Sequence, residues 1–198
     1  MKKLFFYLFL FFFLKFNFVS AYSPQPKIFV DELVKDIVLI LSDNSTSVKN
    51  KNLKIEAIAL ENVDIPGLGL YTLGKMRKSL DSSKLEEYNL LFEKYFLKSL
   101  TSRLTDYSSQ KFEVTGEEQK SSNYTIVSSK IAANDKNPEI NISWRIYTKN
   151  PDKPLVRDLI VEGLSLAKTQ KEEFASILKS NNNNIDALFI KLKEFTEN

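Results

Sequence analysis

The chain contains no cysteine and no histidine. Without cysteine there are no disulfides and no thiolate metal ligands. Without histidine, the commonest general base and the commonest metal ligand are both missing. Nor is there a nucleophile elbow, a phosphate loop or a zinc spacing. Adjacent carboxylates do not fill that gap. Glu86-Glu87, Glu117-Glu118 and Glu172-Glu173 are neighbours in sequence, and neighbours on a helix do not face each other. They read as solvated faces. Together these absences weigh against catalysis. The lack of disulfides is no obstacle to folding, because 198 residues can bury a sizeable core without staples.

An excess of positive charge is also missing once the N-terminus is set aside. Lys2 and Lys3 precede an unbroken apolar run from Leu4 to Leu14, and Lys15 ends it. Val19-Ser-Ala21 then offers small residues at a cleavage site. This pattern predicts a secretory signal peptide over residues 1–21, cut after Ala21. The run is too short for a spanning helix, which wants about 20 apolar residues. No later segment is apolar enough to span. The leader takes three of the 28 basic residues and none of the acidic ones, so 25 of each sign remain. A neutral chain gives a nucleic-acid reading no support. Asn44, Asn123 and Asn141 each open a glycosylation-type triplet. In a chain this rich in asparagine, they read as chance.

Residues 22–198 then divide by periodicity. Val30, Leu33, Val34, Ile37, Ile40 and Leu41 form a helical stripe over Lys27–Leu41. Ser42–Asn52 reads as a loop and Leu53–Asn62 as a second helix. Pro66-Gly67 opens a short helix that Gly74 can cap. Asp81, or a Ser83/Glu86 box, caps a long helix reaching Leu104. Its apolar face carries Leu85, Tyr88, Leu91, Phe92, Tyr95, Phe96, Leu100 and Leu104. Alternation then predicts four strands, Lys111–Glu118, Tyr124–Ala132, Ile140–Ile146 and Leu155–Val161, with Leu155, Arg157, Leu159 and Val161 on one side. Polar loops at Asn134–Pro138 and Asn150–Pro154 make the set an antiparallel meander. Ser165–Lys179 and Ile185–Phe195 close the chain as helices. The fold class is α+β: a twisted antiparallel sheet of about four strands, covered on one face by several helices.

The remaining signal is apolar side chain. An aromatic helix opposite an apolar sheet face suits an ordinary core. It also suits a cavity for acyl chains, which needs no catalytic group. Burial contributes roughly 0.8 kcal/mol per CH₂, so a two-chain lipid can be held by its tails with its headgroup in water. Asp158 and Glu162 lie on one side of one strand, but no convergent group accompanies them. A structural role is preferred: Glu162 accepting a backbone bond at the turn, Asp158 pairing with Arg145 or Arg77.

Three stretches carry a family resemblance. Val156–Leu166 runs a strand into Glu162-Gly163 and a helix start, giving Asp158, Glu162, Gly163 and Ser165 in the order Asp-x-x-x-Glu-Gly-x-Ser. Gln170 and Phe174 follow as Gln-x-x-x-Phe. Tyr71-Thr-Leu-Gly-Lys75, Asp81, Phe92 and Phe96 make the third. The order and spacing resemble the MlaC, or toluene-tolerance, family of periplasmic phospholipid carriers, over most of residues 22–198. Two tryptophans common in the family are replaced here by Met76-Arg77 and Pro154-Leu155, which bears on cavity shape and lipid preference.

The resemblance implies a single lipid-binding domain, monomeric and periplasmic, with phospholipid as cargo, no cofactor and no catalysis. It implies two partners: an inner-membrane ABC transporter with an MCE-domain protein, and an outer-membrane lipoprotein–porin complex. The cavity is expected to draw on Leu73, Met76, Leu91, Tyr95, Phe96, Leu100, Ile142, Trp144, Ile146, Leu159, Val161, Leu164, Phe174 and Ile177, each expected to be buried and about half of them to touch lipid. The strand face involved depends on register, since a one-residue slip inverts it. Lys75, Arg77 and Lys78 form a basic cluster near the cavity rim and read as a solvated face. Two alternatives remain open: an exported enzyme using Asp158, Tyr147 and Arg145, and an interaction domain whose aromatics only fill a core.

Overall fold

A computed structural model describes residues 22–104, 111–133 and 138–197. The expected leader, residues 1–21, and most of the Asn134–Pro138 loop lie outside the described residues. Four helices come first: α1 (Pro26–Ser42), α2 (Val48–Asn62), α3 (Ile65–Leu73) and α4 (Ser82–Leu104). The strands β1 (Phe112–Ser121), β2 (Tyr124–Ile131), β3 (Ile140–Tyr147), β4 (Leu155–Val161) and β5 (Leu164–Ser165) follow, then α5 (Leu166–Ser180) and α6 (Ile185–Glu197). The fold is α+β, with the sheet in sequence order and antiparallel throughout.

Local chemistry sets the boundaries. Pro26 starts α1, where its missing N–H costs nothing. Ser47 accepts from the Asn50 amide at 3.3 Å and starts α2 five residues before the expected Leu53. That cap was hidden in a Ser- and Asn-rich stretch. Asp64 caps α3 through the Gly67 amide at 3.1 Å. Asp81, not the Ser83/Glu86 box, accepts from the Lys84 amide at 2.8 Å and starts α4. Glu162 and Gly163 both have positive φ, 47° and 80°. This is the two-residue hairpin conformation that glycine tolerates best. It folds β5 back onto β4, adding a strand too short to show as periodicity.

Two apolar cores result. The first joins α3, α4, α5 and α6 around Tyr88, Phe92, Phe174, Leu188 and Leu192. Helices α3 and α4 meet closely because Gly69 lies against Phe92; a Cβ there would sit 3.0 Å from the ring. The second core joins α1 to one sheet face through Phe29, Val30, Leu33, Val127, Trp144, Ile146 and Val156. Val63 packs against both.

The expected one-sided covering of the sheet is therefore corrected. Trp144 pairs with Leu159 and Arg145 with Asp158. Adjacent residues in a strand point to opposite faces. Since Trp144 and Leu159 face α1, Arg145 and Asp158 face the other way, and there Asp158 meets the start of α5. Helices approach from both sides.

Candidate functional site: a cleft between the helical layer and the sheet

On the face of the sheet turned toward α3 and α5, β4 places a polar cluster beside apolar residues such as Leu155 and Ile160. Register slips between Arg145 and Ile146, leaving Arg157 as an extra residue opposite β3. Bulges of this kind re-aim a side chain. Arg157 thus departs from the side expected to hold Leu159 and Val161. Its guanidinium lies 3.5 Å from the centre of the Tyr147 ring. It donates to the Tyr124 hydroxyl and to the Asp64 carboxylate. The Asp64 amide donates to the Val156 carbonyl at 2.9 Å. The start of α3 is tied to β4 by these contacts.

A second tie holds α5. The Asp158 side chain is buried and accepts from the Ser165 hydroxyl at 2.6 Å and the Ala167 amide at 3.0 Å. Ser165 in turn accepts from the Lys168 amide at 3.0 Å, as an N-cap does. Arg145 reaches Asp158 at 3.7 Å from a half-exposed position. Glu162 accepts from the Asn141 amide across the turn. Within Asp158, Glu162, Gly163 and Ser165, the work on view is turn-making and helix-capping. Both Asp158 oxygens accept bonds from neighbouring groups of the turn and helix start, which is a structural role. Asp158→Ala is expected to cost about 2–4 kcal/mol, because two bonds to a buried carboxylate are lost. Arg145→Ala is expected to cost less than about 1 kcal/mol, as a half-exposed pair does. Thermal melts of the two variants check the difference.

Between these ties lies a cleft of about 280 Å³. Arg77, Arg145, Arg157 and Tyr124 line it, with Leu68, Leu70 and Ala167 as its apolar wall. Arg77 donates to the Leu70 carbonyl at 3.0 Å. It has no acidic partner within ion-pair distance among the described residues. Tyr71 stands at the rim with the Lys171 ammonium 4.8 Å from its ring centre.

The residues expected to share one cavity are divided. Leu73, Met76, Leu91, Tyr95, Phe96, Phe174 and Ile177 belong to the helical core. Tyr95 donates from its hydroxyl to Gln170 Oε1 at 2.7 Å. Leu100 is half-buried farther along α4. Ile142, Trp144, Ile146 and Leu159 belong to the α1 core, and Val161 shares their face by pairing with Ile142. The split follows from Asp158, which must face α5 to cap it. Leu164, expected to be buried, is 69% exposed. It stands in a two-residue edge strand just past the turn, where nothing covers it. None of the fourteen lines the cleft.

Nothing local in the sequence marks Arg157 and Tyr124 as cleft residues, or Asp64 as the partner of Arg157. One signal was available: consecutive charges, Arg157-Asp158, break the alternation of β4 and mark the bulge.

Residues 31–194 match the family model described as MlaC protein. The chain belongs to the MlaC family. No curated protein matches it. Among solved structures, this MlaC-family chain is similar to the phospholipid-binding protein from Ralstonia solanacearum, determined in complex with a phospholipid. The identity is 16%, the TM-score 0.72, and the match covers 88% of this chain and 97% of that one. At that identity the likeness is one of fold. Among the described residues, no helix is long and apolar enough to cross a membrane.

Proposed function

We propose that this protein is an exported phospholipid carrier, taking lipid from one membrane and delivering it to another without catalysis. Family membership supports the reading, as does a shared fold with a protein whose structure holds a phospholipid. One observation carries it in this chain. Two separately packed cores meet along a polar seam, and a cleft lies open at that seam. Acyl chains would enter there, between the helical layer and the sheet.

The cleft's 280 Å³ falls at the lower edge of small-molecule sites, which run from about 300 to 1,000 Å³. A two-chain lipid needs more, so loading requires the layers to part. The polar links beside the cleft join Asp64 with Arg157 and Val156, and Asp158 with Ser165 and Ala167. Tail burial at roughly 0.8 kcal/mol per CH₂ can offset their loss. In this reading the leader directs export to the periplasm. The carrier works as a monomer between an inner-membrane ABC transporter with its MCE-domain protein and an outer-membrane lipoprotein–porin complex.

The filled apolar cores favour one other reading, an interaction domain with no ligand. Native mass spectrometry of protein purified from a bacterial periplasm separates the two. The expected result is a bound mass that resolves on extraction into diacyl phospholipids. Protein that emerges empty, and stays empty after incubation with phospholipid vesicles, would overturn the carrier reading.

A further inference from the structure

We propose that the cleft at the seam is a phosphate-ester site, with Arg77, Arg145 and Arg157 as its ligands. Three guanidinium groups line it, and among the described residues the carboxylates in contact with them are Asp64 and Asp158. Two carboxylates face three guanidinium groups, and each also accepts from other donors. Asp64 caps α3 through Gly67, and Asp158 holds Ser165 and the Ala167 amide. Positive charge is left over. Among the described residues Arg77 bonds the Leu70 carbonyl and no carboxylate, and a carbonyl does not neutralise it. Arg145 is half-exposed and 3.7 Å from its carboxylate, too far for a tight hydrogen bond.

The chemistry of the lining selects the ligand. A cation would meet three like charges. A neutral polyol would leave the guanidinium forks without acceptors. A phosphate offers several charged acceptor oxygens, and arginine forks bind such groups in pairs of parallel bonds. Tyr124 accepts from Arg157, so its own hydroxyl hydrogen is free to join them. Leu70 and Ala167 line the other wall and suit the carbon side of an ester. The arginines are also held in place. Arg157 is stacked on Tyr147 and tied to Asp64, so its fork is set before a ligand arrives.

The phosphate can come from a lipid headgroup or from a soluble phosphate ester. The lipid source rests on the carrier reading, in which tails part the layers and the phosphate stays at the seam; the anion site does not. The test uses lipid-stripped protein from the periplasm and isothermal titration with three probes: glycerol 3-phosphate, dihexanoyl phosphatidylglycerol and dihexanoylglycerol. The variant is Arg77→Gln with Arg145→Gln. Arg157 is spared because it anchors α3, and an unchanged melting temperature shows that the variant is folded.

The expected result is saturable binding of phosphatidylglycerol that weakens roughly tenfold or more in the variant, while dihexanoylglycerol binding is unchanged. Binding of glycerol 3-phosphate alone, lost in the same variant, would support the anion site and tell against the carrier reading. Phosphatidylglycerol bound equally by wild type and variant would overturn the site and leave the carrier reading standing. Absence of binding by either phosphorylated probe would overturn the site as well.

Discussion

Replacing Phe174 by alanine in lipid-free protein is expected to destabilise the fold by about 3–5 kcal/mol. Phe174 is 2% exposed. It meets Phe92 edge-on, with ring centres 6.3 Å apart, and lies 5.7 Å from Tyr95. It is therefore a main apolar contact between α5 and α4, beside the Tyr95–Gln170 hydrogen bond. Truncation removes the ring from its apolar surroundings and leaves a hole that the stiff helical layer can only partly close. Against a total stability of about 5–15 kcal/mol, the shift in urea midpoint should be large. Phe195→Ala is the control. That ring is 40% exposed and touches Tyr95 at 4.8 Å, so its loss should cost about 1 kcal/mol or less. The comparison also bears on function. A Phe174 that borders space kept for lipid has fewer contacts to lose. A cost below about 1 kcal/mol would show that the helical layer is not a filled core, and would return Phe174 and its neighbours to the lipid path.

How much of this was visible in the sequence depends on the range of the interaction. The stripe of α1, the aromatic face of α4 and the alternation of β3 are local periodicities, and they locate those elements. The Asp81 cap and the Glu162-Gly163 turn are local too. What the sequence did not reveal are features set by pairing at a distance. Trp144 and Leu159 face α1 because the residues beside them, Arg145 and Asp158, are needed at α5. That choice is invisible until Ser165 and Ala167 are placed. The cleft has the same origin. Asp64 and Arg157 are 93 residues apart, and Tyr124 and Arg157 are 33 apart. Only the sheet register and the Val63–Val156 bridge bring them together. Leu164 departs from its expected burial for a related reason: an apolar residue after a turn reads as core, but a two-residue edge strand has nothing on its outer side.

Raising the pH above about 10 should destabilise the helical layer steeply, and Tyr88 should be the main cause. Its side chain is completely buried, stacked 5.7 Å from Phe92 and 6.4 Å from Phe189. Burial pushes its phenol well above the ordinary value of 10.0. The Tyr88 hydroxyl lies 2.8 Å from Thr72 Oγ1, whose one hydrogen goes to the Gly69 carbonyl. Tyr88 must therefore donate, and ionisation would remove that donor. The sign follows from proton counts. Above pH 10 the unfolded chain gives up this proton and the folded chain keeps it, so the unfolded state binds fewer protons and stability falls. The contribution is fully present below the ordinary phenol range and is lost as pH rises toward the folded value, at about 1.4 kcal/mol per pH unit. Over two units the loss approaches about 3 kcal/mol. Tyr22 and Tyr95 are shifted the same way, again chiefly by burial. Each adds to the slope, and both are more open to solvent than Tyr88, which screens their shifts and narrows the pH range over which they do so. Urea titrations between pH 9 and 12 measure the total, and Tyr88→Phe isolates the largest part. Phenylalanine keeps the ring in its stack, and Thr72 keeps its bond to Gly69. The variant should lose about 1 kcal/mol at neutral pH and show a clearly shallower alkaline slope. An unchanged slope would mean that water reaches Tyr88, and so that the helical layer opens far more readily than its packing implies.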